Sequence, residues 1–261
     1  MVKIGIIGGS GMDNPNLLEN YERVDVMTPF GQPSSSVTTG TLNGVEVAVI
    51  ARHGRKHQIM PTNVNNRANI WALKELGCTH ILATTAVGSL KEEVRPGELV
   101  ILDQLIDKTH FRKKTFYTSN QVCHISLADP FCEKMRKLMI QTAQELALPH
   151  HAQGTVVTIE GPRFSTRAES KMFQMYGADV INMSTAPEAT LAREAGLCYA
   201  SIAMSTDYDC WKMTEEPVTW EEICKVMKLN ADNVTNLIKA VVPKIQHNQC
   251  ECMDAIKTAL I

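Results

Sequence analysis

Apolar positions along the chain follow two alternating patterns. Short runs of β-branched and other apolar residues give way to segments in which apolar residues return every three or four positions. That alternation predicts a layered α/β domain with a mainly parallel sheet. Strand-like runs occupy residues 3–7, 37–42, 45–50, 80–84, 98–102, 155–159, 180–183 and 198–204. Helical periodicity marks residues 61–76, 129–146, 167–176, 187–195 and 220–245. Residues 37–42 and 45–50 flank Asn43-Gly44, the dipeptide favoured in a type I′ turn, so they read as a hairpin and make the sheet mixed. Thr62 is the expected N-cap of the helix from residue 61, and Gly77 its stop. No repeat, low-complexity tract or linker interrupts this order, which predicts one domain over residues 1–261. Residues 108–128 are polar and aperiodic, and a loop that long inside a compact domain usually carries function.

Composition narrows the partners. A chain of 261 residues, 44% of them hydrophobic, can bury a substantial core. A net charge of −2, with Lys and Arg scattered, gives no electrostatic footprint for nucleic acid or an anionic membrane. No apolar run approaches the roughly 18 residues of a membrane span, and Met1-Val2-Lys3 leads into the first strand without a signal pattern, so a cytoplasmic protein is expected. The eight cysteines read as buried free thiols in such a setting. The pair Cys250-Glu251-Cys252 leaves two further readings open, a redox-labile disulfide and a soft-metal ligand set.

Candidate chemistry gathers after the strands. Gly8-Gly9-Ser10-Gly11 follows the first one, where absent side chains let backbone N–H groups and the Ser10 hydroxyl approach an anion. It is not a dinucleotide fingerprint, since Asn14 and Pro15 stand where a third glycine and a helix are required. Arg52 and His53 follow the hairpin strand, and a guanidinium fork matches phosphate geometry. Thr84-Thr85-Ala86-Val87-Gly88-Ser89 ends another strand, and ligands of open α/β sheets collect at such carboxyl ends. Glu160-Gly161-Pro162-Arg163-Phe164-Ser165 and Asn182-Met183-Ser184-Thr185-Ala186-Pro187-Glu188 offer an aromatic ring and a thioether, which can cover a flat base and a sugar, although such side chains are more often core. Asp207 and Asp209 stand two residues apart beyond the apolar run 198–204, where an extended backbone aims both at one ligand edge. No His or further carboxylate stands nearby in sequence to make them a metal site.

In this order the motifs resemble the 5′-methylthioadenosine phosphorylases, a branch of the trimeric purine nucleoside phosphorylases, and the resemblance spans essentially the whole chain. It implies a three-layer phosphorylase/hydrolase-like fold with a central mixed sheet flanked by helices, assembled as a homotrimer or a dimer of trimers. It further implies phosphate held by Ser10, Arg52, His53, Thr85, Ala86 and Ser184, with Met183 against the ribose, Phe164 near the base, and Asp207 and Asp209 on the purine edge. His124 and part of the C-terminal helix, including Trp220, would close the 5′ end, His124 reaching across a subunit interface. Ser10 and Ser184 stand where Thr is common, and Trp220 is bulkier than the small aliphatic residue expected there. The implied reaction cleaves the N-glycosidic bond of 5′-methylthioadenosine with phosphate as co-substrate and needs no cofactor or metal.

Residue chemistry agrees with that implication. Breaking the bond leaves positive charge on the sugar and negative charge on the purine, so an anion beneath C1′ and a proton donor at N7 both favour the transition state. Asp207 is the candidate donor, provided burial or Asp209 raises its pKa. A carboxylate facing a 6-oxo group sets acceptor against acceptor, so a 6-aminopurine is the expected base. Three rivals remain distinguishable: a phosphorylase preferring 6-oxopurines, a silent dinucleotide-binding module, and a hydrolase of the same fold that uses water.

Overall fold

The computed structural model describes residues 2–8, 18–213, 220–247 and 249–261, apart from the side chains of residues 220–224. Every residue of β1 (Ile4–Gly8) is buried, which places this strand inside the sheet. Strands β2 (Glu19–Val24), β3 (Val37–Leu42) and β4 (Val45–Ala51) lie to one side of it in the order β2-β3-β4-β1. β3 and β4 are antiparallel, and Asn43 and Gly44 take φ of 50° and 79°, the left-handed pair that a type I′ hairpin needs. Beyond β1 lies β5 (His80–Ser89), the strand on which the sheet is organised. It pairs parallel with β1, parallel along its length with β11 (Cys198–Tyr208), and antiparallel at its end with β10 (Val180–Asn182). β9 (Thr155–Ile159) and β7 (Gln104–Lys108) extend the sheet from β10, while β6 (Leu99–Ile101) and β8 (His150–His151) extend it from β11.

Alternate residues of these strands feed two cores. Leu82, Ala200, Ile202 and Met204 pack under α2 (Glu133–Glu145) and α5 (Trp220–Val241), with Met135, Met139, Val234, Leu237 and Ile238 as the helical contribution. Ile81, Ala83, Tyr199 and Ala203 face the other way, against α1 (Asn66–Glu75) and α4 (Thr185–Glu194), through Ile70, Leu73, Leu191 and Ala192. The period of two in β5 and β11 therefore makes the three layers. A smaller cluster of Leu90, Val157, Phe173 and Ile181 seats α3 (Arg167–Met175), and α6 (Glu251–Asp254) lies near the C-terminus.

The structure corrects several boundaries. Thr62 does not cap α1: Pro61–Asn63 is a 3-10 turn, and Asn65 accepts from the Ala68 N–H instead. Gly77, at φ 82°, does stop the helix. The last long helix ends at Val241, with a 3-10 turn over Val242–Lys244. β11 runs four residues further than its apolar run, so Asp207 lies on the strand. No helix among the described residues is long and apolar enough to cross a membrane.

Candidate active site

β1, β4, β5 and β11 are linked by parallel pairings, so their carboxyl ends open on one side of the sheet. Arg52 leaves the end of β4, and its backbone N–H donates to the Gly8 carbonyl at 3.0 Å, fixing it beside the end of β1. Its guanidinium is 2% exposed. Nε donates to Glu188 Oε1 at 2.5 Å, Nη2 to Glu188 Oε2 at 3.0 Å, and Nη1 to the Thr84 carbonyl at 2.7 Å. Of the five donors an arginine carries, two therefore have no partner among the described residues. Burial opposes the Arg52 charge, but the Glu188 carboxylate outweighs it and the pKa stays above the ordinary arginine value. Glu188 also accepts from the Tyr199 hydroxyl at 2.9 Å.

Thr85 and Ser184 meet beside this pair, with their hydroxyl oxygens 3.1 Å apart. Asn182 holds the cluster: its amide donates to Thr85 Oγ1 and to Thr185 Oγ1, while its carbonyl oxygen accepts from the Thr158 hydroxyl. Ala86 follows Thr85 on β5 and is exposed. His53 is placed by an Nδ1 contact of 2.8 Å with the Ile59 carbonyl. Burial lowers its pKa to about 4, so the ring is neutral at neutral pH, its one hydrogen goes to Ile59, and Nε2 carries a lone pair. In that state Nε2 is an acceptor rather than a donor.

At the other end stand the two carboxyls. The register of β11 on β5 shifts between Ser205 and Asp207, and the bulge sets Asp207 opposite Gly88. The Thr206 hydroxyl donates to Asp207 Oδ1 at 2.6 Å. Burial raises the Asp207 pKa, the Thr206 hydrogen bond opposes that, and Asp209 adds to it. Asp209 is buried, takes a backbone bond from its N–H to the Ser89 carbonyl, and is itself raised, by burial first.

Between the two ends, Met183 is half-buried, and Gly161 at φ 70° leaves room for it: a Cβ on that glycine would lie 2.5 Å from the Met183 sulfur. Arg112 ties the neighbouring loops together. Its Nη1 donates to the Met183 carbonyl at 3.1 Å and its Nε to Glu160 Oε1 at 2.8 Å. Cys210 Sγ donates to the Ser165 carbonyl at 3.2 Å, which joins the loop of Phe164 to the segment of Asp209. Phe164 itself is 82% exposed, so its ring covers nothing in this protomer. His124 is exposed too, and its backbone N–H donates to the Ala259 carbonyl at 2.8 Å. Ser10 lies outside the described residues, as does the Trp220 side chain.

Glu188, Tyr199, Asn182, Arg112 and Glu160 hold this arrangement; Glu160, Asn182 and Glu188 lie in motifs the sequence marked but had no role assigned, and Tyr199 and Arg112 were not marked at all. The only available signal was a lone acid, Glu188, in the otherwise uncharged run 182–189, and spacing alone does not connect it to Arg52.

A mixed sheet with a buried arginine and hydroxyl cluster at its strand ends, and a pair of raised carboxyls beside it, is the architecture of an α/β enzyme with a small-ligand site. The family model described as the phosphorylase superfamily matches residues 3–243, and the chain belongs to that family. It is 55% identical to S-methyl-5′-thioadenosine phosphorylase of Danio rerio, over 94% of this chain and 89% of that one. Against the protein of the same name from Pyrococcus furiosus the identity is 53%, and both chains are covered in full. Among solved structures it is similar to a variant of adenosine/methylthioadenosine phosphorylase from Schistosoma mansoni in complex with methylthioadenosine. That match has 43% identity and a TM-score of 0.92, and covers 98% of this chain and 96% of the other.

Proposed function

We propose that this protein is a pentosyltransferase that cleaves the N-glycosidic bond of 5′-methylthioadenosine with phosphate, giving adenine and 5-methylthioribose 1-phosphate. The observation that carries the reading is two unlike groups set a few residues apart along one strand. Thr85, in the hydroxyl cluster beside Arg52, and Gly88, opposite Asp207, are separated by about 10 Å of extended β5.

Phosphate sits against the hydroxyls of Thr85 and Ser184, the Ala86 backbone and the remaining Arg52 donors, with the phosphate's own proton on His53 Nε2. Ser10 completes this end. Phosphate oxygen attacks C1′ as the bond to N9 breaks, so the developing sugar cation is stabilised by the anion below it. Asp207, whose pKa is raised by burial first and then by Asp209, hydrogen-bonds N7 in its protonated form and gives up that proton as negative charge grows on the purine. Asp209 accepts from the 6-amino group. Met183 lies against the ribose. No metal or cofactor takes part in this scheme.

The reading includes a trimer. Phe111, Val122 and Phe164 are 78%, 56% and 82% exposed, a set of large apolar side chains that a partner subunit would cover. His124 lies on the same loop as Val122 and would reach the neighbour's 5′ pocket, with Trp220 near it. A cytoplasmic location is part of the proposal.

The test is base release from 5′-methylthioadenosine, adenosine and inosine, each with and without phosphate. Adenine and a 1-phosphorylated sugar appearing only with phosphate support the reading. Base release without phosphate overturns the nucleophile, and release from inosine alone overturns the assignment of Asp207.

A further inference from the structure

At the opposite end of β11 from Asp207, four potential metal ligands from three separate segments converge. Cys132 stands immediately before α2, Cys198 opens β11, and His247 and Cys250 lie between the 3-10 turn Val242–Lys244 and α6. One ligand atom from each of the four falls within 4.8 Å of all the others. Cys132 and Cys198 are 1% and 0% exposed, and His247 and Cys250 are half-buried. From this geometry we propose that Cys132, Cys198, His247 and Cys250 form a closed structural site for a thiophilic divalent cation, zinc above all.

Three observations carry the proposal. First, tetrahedral zinc with Zn–S bonds of about 2.3 Å sets its sulfurs about 3.8 Å apart, and Cys132 Sγ and Cys250 Sγ are 3.7 Å apart. The side chains need little movement to accept the ion. Second, three sulfurs and one imidazole form a complete structural zinc set, soft enough to reject magnesium or calcium and without an open position for water. Third, the surroundings match those of a built site. His247 Nε2 is 3.1 Å from His80 Nε2, and His80 Nδ1 is 2.8 Å from Thr79 Oγ1, a chain that orients the His247 ring. Arg193 Nη1 donates to Cys252 Sγ at 3.1 Å, placing a cation on the next thiol of the tail. Zinc uptake releases the protons of the three coordinating thiols to solvent, and nothing is oxidised or reduced.

Such a site would fasten the tail to the sheet. The end of that tail forms backbone bonds with residues 122–124, through Val122 N–H to Ile261 and His124 N–H to Ala259. A metal clip at Cys250 therefore also steadies the loop that carries His124.

The experiment uses the full-length protein, fully reduced, incubated with Zn²⁺ and dialysed, with metal content read by elemental analysis. A parallel sample takes Co²⁺ and is read by its thiolate-to-cobalt charge-transfer absorption. One metal per chain is expected, with the cobalt band present. His247→Gln and Cys250→Ser should abolish stoichiometric binding, Cys123→Ser should leave it intact, and His80→Asn should weaken it by roughly 10–100-fold. If the reduced wild type keeps no zinc, the proposal fails. It fails equally if His247→Gln and Cys250→Ser bind as well as wild type, or if these cysteines are joined in disulfides and take up no metal after reduction.

Discussion

Two neighbouring regions at the carboxyl side of the sheet solve the problem of buried charge in opposite ways. At the Arg52 end the charge is permanent, and Glu188, Tyr199 and the Thr84 carbonyl are fixed around it. At the Asp207 end two carboxyls stand near each other with hydroxyl and backbone partners, and burial raises both pKa values, so each holds its proton more tightly than a free aspartate does. The first arrangement suits a group that must bind an anion without changing state. The second suits a group that must change state in every turnover. A rigid cation and a protonatable acid are thereby kept apart on one side of the sheet.

The largest expected effect comes from removing the proton donor. Asp207→Asn should lower kcat/KM for 5′-methylthioadenosine by roughly 10²–10⁴-fold and raise relative activity on inosine, since an amide can face a 6-oxo group. Unchanged base preference in steady-state assays would show that Asp207 does not read the purine edge. Next is the permanent pair. Glu188→Gln leaves the Arg52 charge buried beside a neutral amide, and a loss of about 3–5 kcal/mol in urea unfolding is expected. A smaller loss would mean that Tyr199 and Thr84 suffice to hold the guanidinium. Ser184→Ala removes one hydroxyl toward an anion, worth about 1.5–3 kcal/mol for a charged partner. It should raise KM for phosphate by roughly 10–100-fold while KM for the nucleoside stays nearly constant.

The smallest effects are on stability against pH, and they have opposite signs. Glu160 is held at about 2, against an ordinary 4.5: burial opposes this, but Arg112, the His110 and Phe111 N–H groups and Thr62 outweigh it. The folded state therefore binds fewer protons than the unfolded one between those values. Its contribution is complete above about 4.5 and is lost as pH falls toward about 2, so wild type and Glu160→Gln should converge in acid. Asp207 is raised, so its ionisation costs stability as pH climbs from the ordinary aspartate value through the raised one. Asp207→Asn should gain stability on wild type over that window, and thermal unfolding of the three proteins at stepped pH would separate the signs.

Much of this was legible before the structure because local chemistry dictated it. Asn43-Gly44 requires its turn, the β-branched run 155–159 is a strand with those bounds, and Gly77 stops α1. β2 was missed because it is polar and largely exposed, with none of the alternation that a buried face imposes. Thr62 misled because Asn65, three residues on, is the residue whose side chain reaches the helix N-terminus. The position of Arg52 just after its strand followed from pattern, whereas β5 and β11 run on to Ser89 and Tyr208, past the expected ends at 84 and 204, so Thr85 and Asp207 lie on the strands themselves; the partners of all three were not legible. Glu188 lies 136 residues from Arg52 in sequence, and Asn182 lies 97 from Thr85. Only the crossovers of the sheet bring them together.

The neutral ring of His53 has a consequence for which oxyanions the site can hold. With its hydrogen committed to Ile59, Nε2 offers a lone pair, and an oxyanion oxygen without a proton meets it lone pair to lone pair. Phosphate and arsenate keep a proton near neutral pH, whereas sulfate does not. Size and shape hardly separate these tetrahedral anions, so sulfate should be a poor competitor and arsenate an accepted surrogate, a selection by protonation alone.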